Sequence, residues 1–250
     1  MTLYERLFPS GSGCGLWLLL DPDKAPPDQL ADTARSAEED GASVILVGGS
    51  FIAHDGFDTA VKAVKAAVSI PVVLFPGSSR QVSRYADGML FTSLLSGRNP
   101  QFLIGEQLMA APLIIQMGLP VIPTAYLLIE SGGMTSAEFV SDTKPLPRDK
   151  PHLALAHAQA AFLLGMKAVY LEAGSGARFP VPVEMIRMVA KGIFLPVIVG
   201  GGIAAPEQAA AAAAAGARAI VVGTAVEREG VKILHEMVKA LESQVNLNNL

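Results

Sequence analysis

The chain has 250 residues, of which 51% are apolar and 17% charged. That length suits one large barrel or two small domains, and no Pro/Gly/Ser-rich linker or charge run divides it, so residues 1–250 read as a single domain. A formal net charge of −4 argues against nucleic acid as a partner, because a phosphate-backbone binder carries a basic face.

The apolar surplus favours a buried parallel sheet and a subunit interface. Cys14 is the one cysteine, so an internal disulfide is excluded. Met1 to Ser10 does not read as a secretory leader, and the expected location is the reducing cytoplasm. No apolar run reaches the roughly 20 residues needed to cross a bilayer. The richest stretch, Phe102 to Ile129, is interrupted by Glu106, Pro112, Gln116, Pro120 and Pro123.

Short apolar runs predict strands at Trp17 to Leu20, Ser43 to Val47, Val72 to Phe75, Met89 to Phe91, Val121 to Ile122, Ala168 to Leu171, Pro196 to Val199 and Ala219 to Val222. Helical patterns fall between most of them: Pro27 to Glu39, Asp58 to Val68, Gln101 to Gln116, Pro151 to Leu164, Val183 to Ala190 and Pro206 to Ala215. The alanine run in the last of these is an ordinary helix stopped by Gly216. A closing helix from Arg228 to about Glu242 precedes a polar tail, Ser243 to Leu250, expected to fray.

Eight strands with seven helices between and after them predict a (β/α)8 barrel of the TIM type rather than an open sheet. One unit is irregular. Only about a dozen residues separate Phe75 from Met89, opening with Pro76-Gly77-Ser78-Ser79. The helix after strand 3 is therefore expected to be missing or shortened, leaving a groove in the barrel wall.

Candidate functional residues sit where strands end. Strand 1 runs into Asp21-Pro22-Asp23-Lys24. An aspartate there faces the mouth of a barrel and suits Mg2+, which takes few protein oxygens. The alternative is a loop acid or helix-start signal, which fits Asp23 and Asp28 better. Strand 2 ends in Gly48-Gly49-Ser50, either an ordinary turn or small backbone beside a hydroxyl that joins the same ion.

Strand 6 ends in Tyr170-Leu171-Glu172 and opens into Ala173-Gly174-Ser175-Gly176. Gly200-Gly201-Gly202 and Gly223-Thr224 follow strands 7 and 8. Three glycine loops on successive strand ends read as a phosphate cradle, since a Cβ would hold donating N–H groups away from the anion. Glu172, one residue before the first loop, is the candidate base for a phospho-alcohol hydroxyl, unless it holds a lysine or caps the next helix. Tyr170 shares its strand face. His152 and His157 are five apart, not the spacing of a helical zinc pair, and are assigned to surface or packing.

Together these segments resemble the geranylgeranylglyceryl phosphate synthase family, barrel prenyltransferases of ether-lipid synthesis. The likeness is carried by Leu20 to Lys24, Val47 to Ser50, Tyr170 to Gly176, Val199 to Ile203 and Val222 to Thr224. Leu94 to Pro100 and Thr143 to Pro145 extend it over nearly the whole chain. The resemblance implies Mg2+ at Asp21 and Ser50. It implies sn-glycerol 1-phosphate on Tyr170, Leu171, Glu172, Ala173, Gly174, Ser175, Gly176, Gly201, Gly202, Gly223 and Thr224, with Glu172 activating the 3-hydroxyl.

The resemblance also implies a prenyl tail in the groove left by the third helix. Phe75, Phe91, Phe102 and Tyr126 would line or end that groove, or else pack the core. One branch of the family has a lysine two residues before the metal aspartate, where this chain has Leu19, so that phosphate contact does not transfer.

The reaction implied is Mg2+-dependent transfer of a geranylgeranyl group from its diphosphate to sn-glycerol 1-phosphate by a homo-oligomer, dimer or hexamer. The alternatives are a longer donor such as heptaprenyl diphosphate, a phosphosugar isomerase or aldolase on the same barrel, and a non-catalytic phosphate-binding barrel.

Overall fold

The computed structural model describes residues 1–11 and 13–247, the last four of these by backbone alone. Its centre is a closed barrel of eight parallel strands: β1 Gly15–Leu20, β2 Val44–Val47, β3 Val72–Leu74, β4 Gly88–Leu94, β5 Val121–Leu128, β6 Ala168–Glu172, β7 Val197–Gly200 and β8 Ala219–Val222. Each pairs with its chain neighbour, and β8 closes on β1 with Trp17 opposite Val221. Strands such as Val44-Ile45-Leu46-Val47 are buried along their whole length, because one face packs inside the barrel and the other under helices.

Around the barrel lie α1 Leu3–Leu7, α2 Pro27–Glu39, α3 Phe57–Ala67, α4 Glu106–Met117, α5 Ser136–Ser141, α6 Pro151–Leu163, α7 Val183–Gly192, α8 Pro206–Ala214, α9 Thr224–Glu229 and α10 Lys232–Leu247. Two hydrophobic clusters result. The outer one joins alternate strand residues such as Ile45, Leu127 and Val199 to the helices. The inner one fills the barrel with Trp17, Leu46, Val73, Leu90, Ile122, Tyr170, Ile198 and Val221.

Leu3, Leu7 and Phe8 join that inner cluster. The short α1, with Thr2 and Glu5 in a reciprocal capping box, therefore stoppers the N-terminal end of the barrel. Sequence reasoning missed it because five residues show too little periodicity.

The connection from β3 to β4 contains no helix, as expected. Other boundaries shift. β4 and β5 are longer than their apolar cores because tertiary pairing extends them. Pro123 lies inside β5, lacking one donor while its carbonyl still accepts from the Lys167 N–H at 2.8 Å. Cys14 immediately precedes β1, and burial pushes its thiol up to about 12. The run expected to begin α4 starts with a π-helical turn, Gln101–Gly105.

The closing helix is broken at Gly230, φ +82°, into α9 and α10. α10 continues through Leu247, past the point where fraying was expected; residues 248–250 lie outside those described. α5, covering the site, was not anticipated.

Candidate active site

A cavity of about 530 Å³ opens at the C-terminal ends of the strands and continues over the wall where the third helix is missing. Its floor is aromatic. Phe75 stacks on Tyr170 with ring centroids 4.8 Å apart and planes 11° apart. Tyr126, opposite Tyr170 in the β5–β6 register, tilts against both rings.

Glu172 is the last residue of β6 and points into the barrel two residues beyond Tyr170, as strand alternation requires. It is only 6% exposed. Burial pushes its carboxyl up to about 7, against the Gly174 N–H and the neighbouring Tyr170 hydroxyl, which favour the anion. The Gly174 N–H donates to Glu172 Oε1 at 2.5 Å. The Tyr170 hydroxyl is buried without a hydrogen bond of good geometry. Burial and the adjacent carboxylate hold its phenol well above the ordinary range. A carboxyl poised near neutrality beside an orphaned hydroxyl is equipped to take a proton from a bound alcohol.

The β6 and β7 glycine loops meet at Glu172, and the β8 loop joins the β6 loop beside them. Gly201 has φ +79°, and a Cβ there would collide with Glu172 Oε1 and stand 2.5 Å from the Gly174 nitrogen. Only glycine lets the β7 loop approach the β6 loop so closely. Ser175 Oγ lies 3.4 Å from Thr224 Oγ1, linking the β6 loop to α9, the short helix that follows β8. Gly174, Ser175, Gly176, Gly201, Gly202, Gly223 and Thr224 all line the cavity. Leu171 and Ala173 do not; their side chains turn outward into the helix-facing cluster, because β6 alternates.

Asp21 and Ser50 line the same cavity from the ends of β1 and β2, next to β8 in the closed barrel. A Cβ on Gly49 would lie 3.1 Å from Asp21 Oδ1, so the β2 loop packs directly on that carboxylate. Burial raises the Asp21 carboxyl, with the Asp23 N–H and Lys24 pulling it back. Gln81, 2% exposed, clasps the loops behind. Its Oε1 accepts from the Gly49 and Gly77 N–H groups at 3.2 Å, and its Nε2 donates to the Gly49 carbonyl at 2.8 Å.

The cavity wall carries five acids, Asp21, Glu106, Glu172, Glu227 and Glu229, against two bases, Lys24 and Arg228. Among the described residues no three His, Cys, Asp or Glu side chains cluster as a metal site. An ion held there would rest on one or two protein oxygens, as Mg2+ can.

The four aromatic groove candidates separate. Phe75 and Tyr126 belong to the barrel interior. Phe91 packs with the outer cluster and, with Phe102, Met89, Val82 and Ala110, lines the groove beyond the mouth. Alternation along β4 explains the split: Leu90 points in and Phe91 out.

The sequence model of the PcrB family matches residues 16–241. This chain belongs to that family, the geranylgeranylglyceryl phosphate synthases. The synthase of Korarchaeum cryptofilum is 48% identical, aligned over 97% of this chain and 100% of its own. That of Chitinophaga pinensis is 45% identical over 90% and 89%. The crystal structure of the (S)-3-O-geranylgeranylglyceryl phosphate synthase of Thermoplasma acidophilum, in complex with its substrate sn-glycerol-1-phosphate, superposes with a TM-score of 0.92. It is 38% identical and covers 97% of this chain and 99% of that one.

The chain is accordingly a prenyltransferase, and the isomerase, aldolase and non-catalytic readings are set aside. Within the family frame, several site features were not found from sequence. Gln81 gave no local signal, and Ser136, Ala137, Val140 and Ser141 line the cavity only because α5 folds over it. The ion pair between Lys24 and Glu227 joins the two ends of the chain.

Proposed function

We propose that this prenyltransferase moves a geranylgeranyl group from geranylgeranyl diphosphate to the 3-hydroxyl of sn-glycerol 1-phosphate, with Mg2+, giving geranylgeranylglyceryl phosphate and diphosphate. The observation that carries this reading is the buried Glu172, raised to about 7, where the glycine cradle meets an apolar groove. The T. acidophilum relative, crystallised with sn-glycerol-1-phosphate, supports the acceptor.

In this reading the glycine loops receive the phosphate, and Glu172 accepts the hydroxyl proton as the glycerol oxygen bonds to the allylic carbon. The bond from that carbon to the diphosphate breaks, and the electron pair leaves with the diphosphate. The Tyr170 hydroxyl supplies a donor or acceptor to the bound glycerol. Asp21 and Ser50 are the residues that would hold Mg2+, which when bound neutralises charge on the leaving group. A wall with three more acids than bases favours that cation, since two anionic substrates must enter. The groove from Phe91 to Phe102 takes the tail.

The whole chain acts as one domain, within a cytoplasmic homo-oligomer, dimer or hexamer. Exposed apolar side chains such as Leu163 and Phe194 support the assembly.

The experiment is a Mg2+-dependent assay with both glycerol phosphate enantiomers and C15, C20 and C35 prenyl diphosphates. Ether product from sn-glycerol 1-phosphate and the C20 donor is expected. Preference for C35 would replace the donor with heptaprenyl diphosphate, and turnover with neither would overturn the reading.

A further inference from the structure

Lys24 and Glu227 meet on the rim of the cavity where β8 closes on β1, although 203 positions separate them, with Lys24 Nζ 2.7 Å from Oε1 and 2.8 Å from Oε2 of Glu227. Lys24 closes the turn after β1, its N–H donating to the Asp21 carbonyl at 3.1 Å. Glu227 rides on α9, which begins at Thr224. The ammonium thus lies on the seam between the Asp21 corner and the glycine cradle.

Both side chains remain partly exposed, 44% and 36%, and such a pair adds little to folding stability. Its placement therefore calls for another explanation. Charge supplies one. The wall is already net acidic, and a phosphomonoester of about −2 must enter beside a diphosphate. Of the two bases on the wall, Lys24 is held by an ion pair among the described residues.

We propose that Lys24 positions the prenyl diphosphate. Glu227 parks its ammonium at the seam in the free protein, the ammonium turns to the diphosphate when that ligand binds, and Glu227 competes for it to favour product release. This rests on the prenyl-transfer reading above and adds to it a role for a residue pair that bridges the Asp21 turn and the helix beginning at Thr224.

The test is the direction of two substitutions. An ion pair that only braces the mouth responds alike to loss of either partner, whereas competition for one ammonium gives opposite signs. Inorganic diphosphate with Mg2+, and separately sn-glycerol 1-phosphate, would be titrated calorimetrically into the full-length protein and its variants.

Lys24→Met is expected to weaken diphosphate binding about tenfold, Lys24→Arg to restore most of it, and Glu227→Gln to tighten it several-fold. The affinity for sn-glycerol 1-phosphate should change less than about twofold. Weakening by both Lys24→Met and Glu227→Gln, or equal changes for both ligands, would overturn the role of Lys24 while leaving the prenyl-transfer reading intact. Failure of the unsubstituted protein to bind diphosphate would overturn both.

Discussion

Glu172 is deprived of water by the same aromatic floor that shapes the cavity, and a carboxyl raised from 4.5 to about 7 has two measurable consequences. As a base it acts only when ionised, so kcat/KM is expected to rise with pH and level off above about 7; a profile flat from pH 5 to 8 would remove Glu172 from that role. Glu172→Gln keeps the volume and an oxygen for the Gly174 N–H but has no proton affinity near neutrality, so turnover should fall by about 10²- to 10⁴-fold.

The same shift affects stability with a definite sign. Between 4.5 and about 7 the native state keeps a proton that the unfolded chain releases, so stability falls as pH rises through that window, by roughly 3 kcal/mol in all. Glu172→Gln abolishes that loss. Its melting temperature at pH 8 is expected to equal or exceed that of the parent, which separates lost chemistry from lost structure.

At the scale of elements, the absent helix between β3 and β4 creates the groove, and α4 forms its far wall. Ala110, 7% exposed, lines the groove from α4. Ala110→Phe should obstruct a C20 tail and raise its KM at least about tenfold while sparing a C5 donor, because lost apolar burial scales with the tail displaced. Equal effects on both donors would place the tail elsewhere. At the other end of the barrel, α1 acts through its apolar side chains. Leu7, 4% exposed, belongs to the inner cluster, and Leu7→Ala should cost about 2–5 kcal/mol in urea unfolding through cavity formation.

For the whole molecule, apolar surface remains to be covered. Phe162, Leu163 and Leu164 close α6, and Phe194 stands before β7 with its ring 6.4 Å from that of Phe162. Phe194 is 94% exposed and Leu163 83%. A patch of this kind marks an association surface more often than a bare monomer face. Light scattering is expected to give a dimer or hexamer of the 26.1 kDa chain, and Phe194→Asp to lower the assembled fraction if this patch is the interface. A monomer at micromolar concentration would contradict the assembly.

The barrel was legible in the sequence because parallel strands buried on both faces leave continuous apolar runs, and because glycines and acids at their ends fall where a barrel presents its loops. The missing third helix followed from chain length alone, since a dozen residues are too few to turn, form a helix and return. Other features depend on closure of the barrel. That Phe75 and Tyr126 lie inside while Phe91 faces the groove follows from strand register, which sets every side chain to one face or the other. The α1 stopper, the α5 cover, the Gln81 clasp and the Lys24–Glu227 pair join segments distant in the chain, and local pattern carries no record of them. The sequence by itself determined the strand runs, the glycine loops and the carboxylates that end the strands. Only tertiary structure decided which of these share one cavity, and it is burial there that raises Glu172 and leaves the Tyr170 hydroxyl in want of a partner.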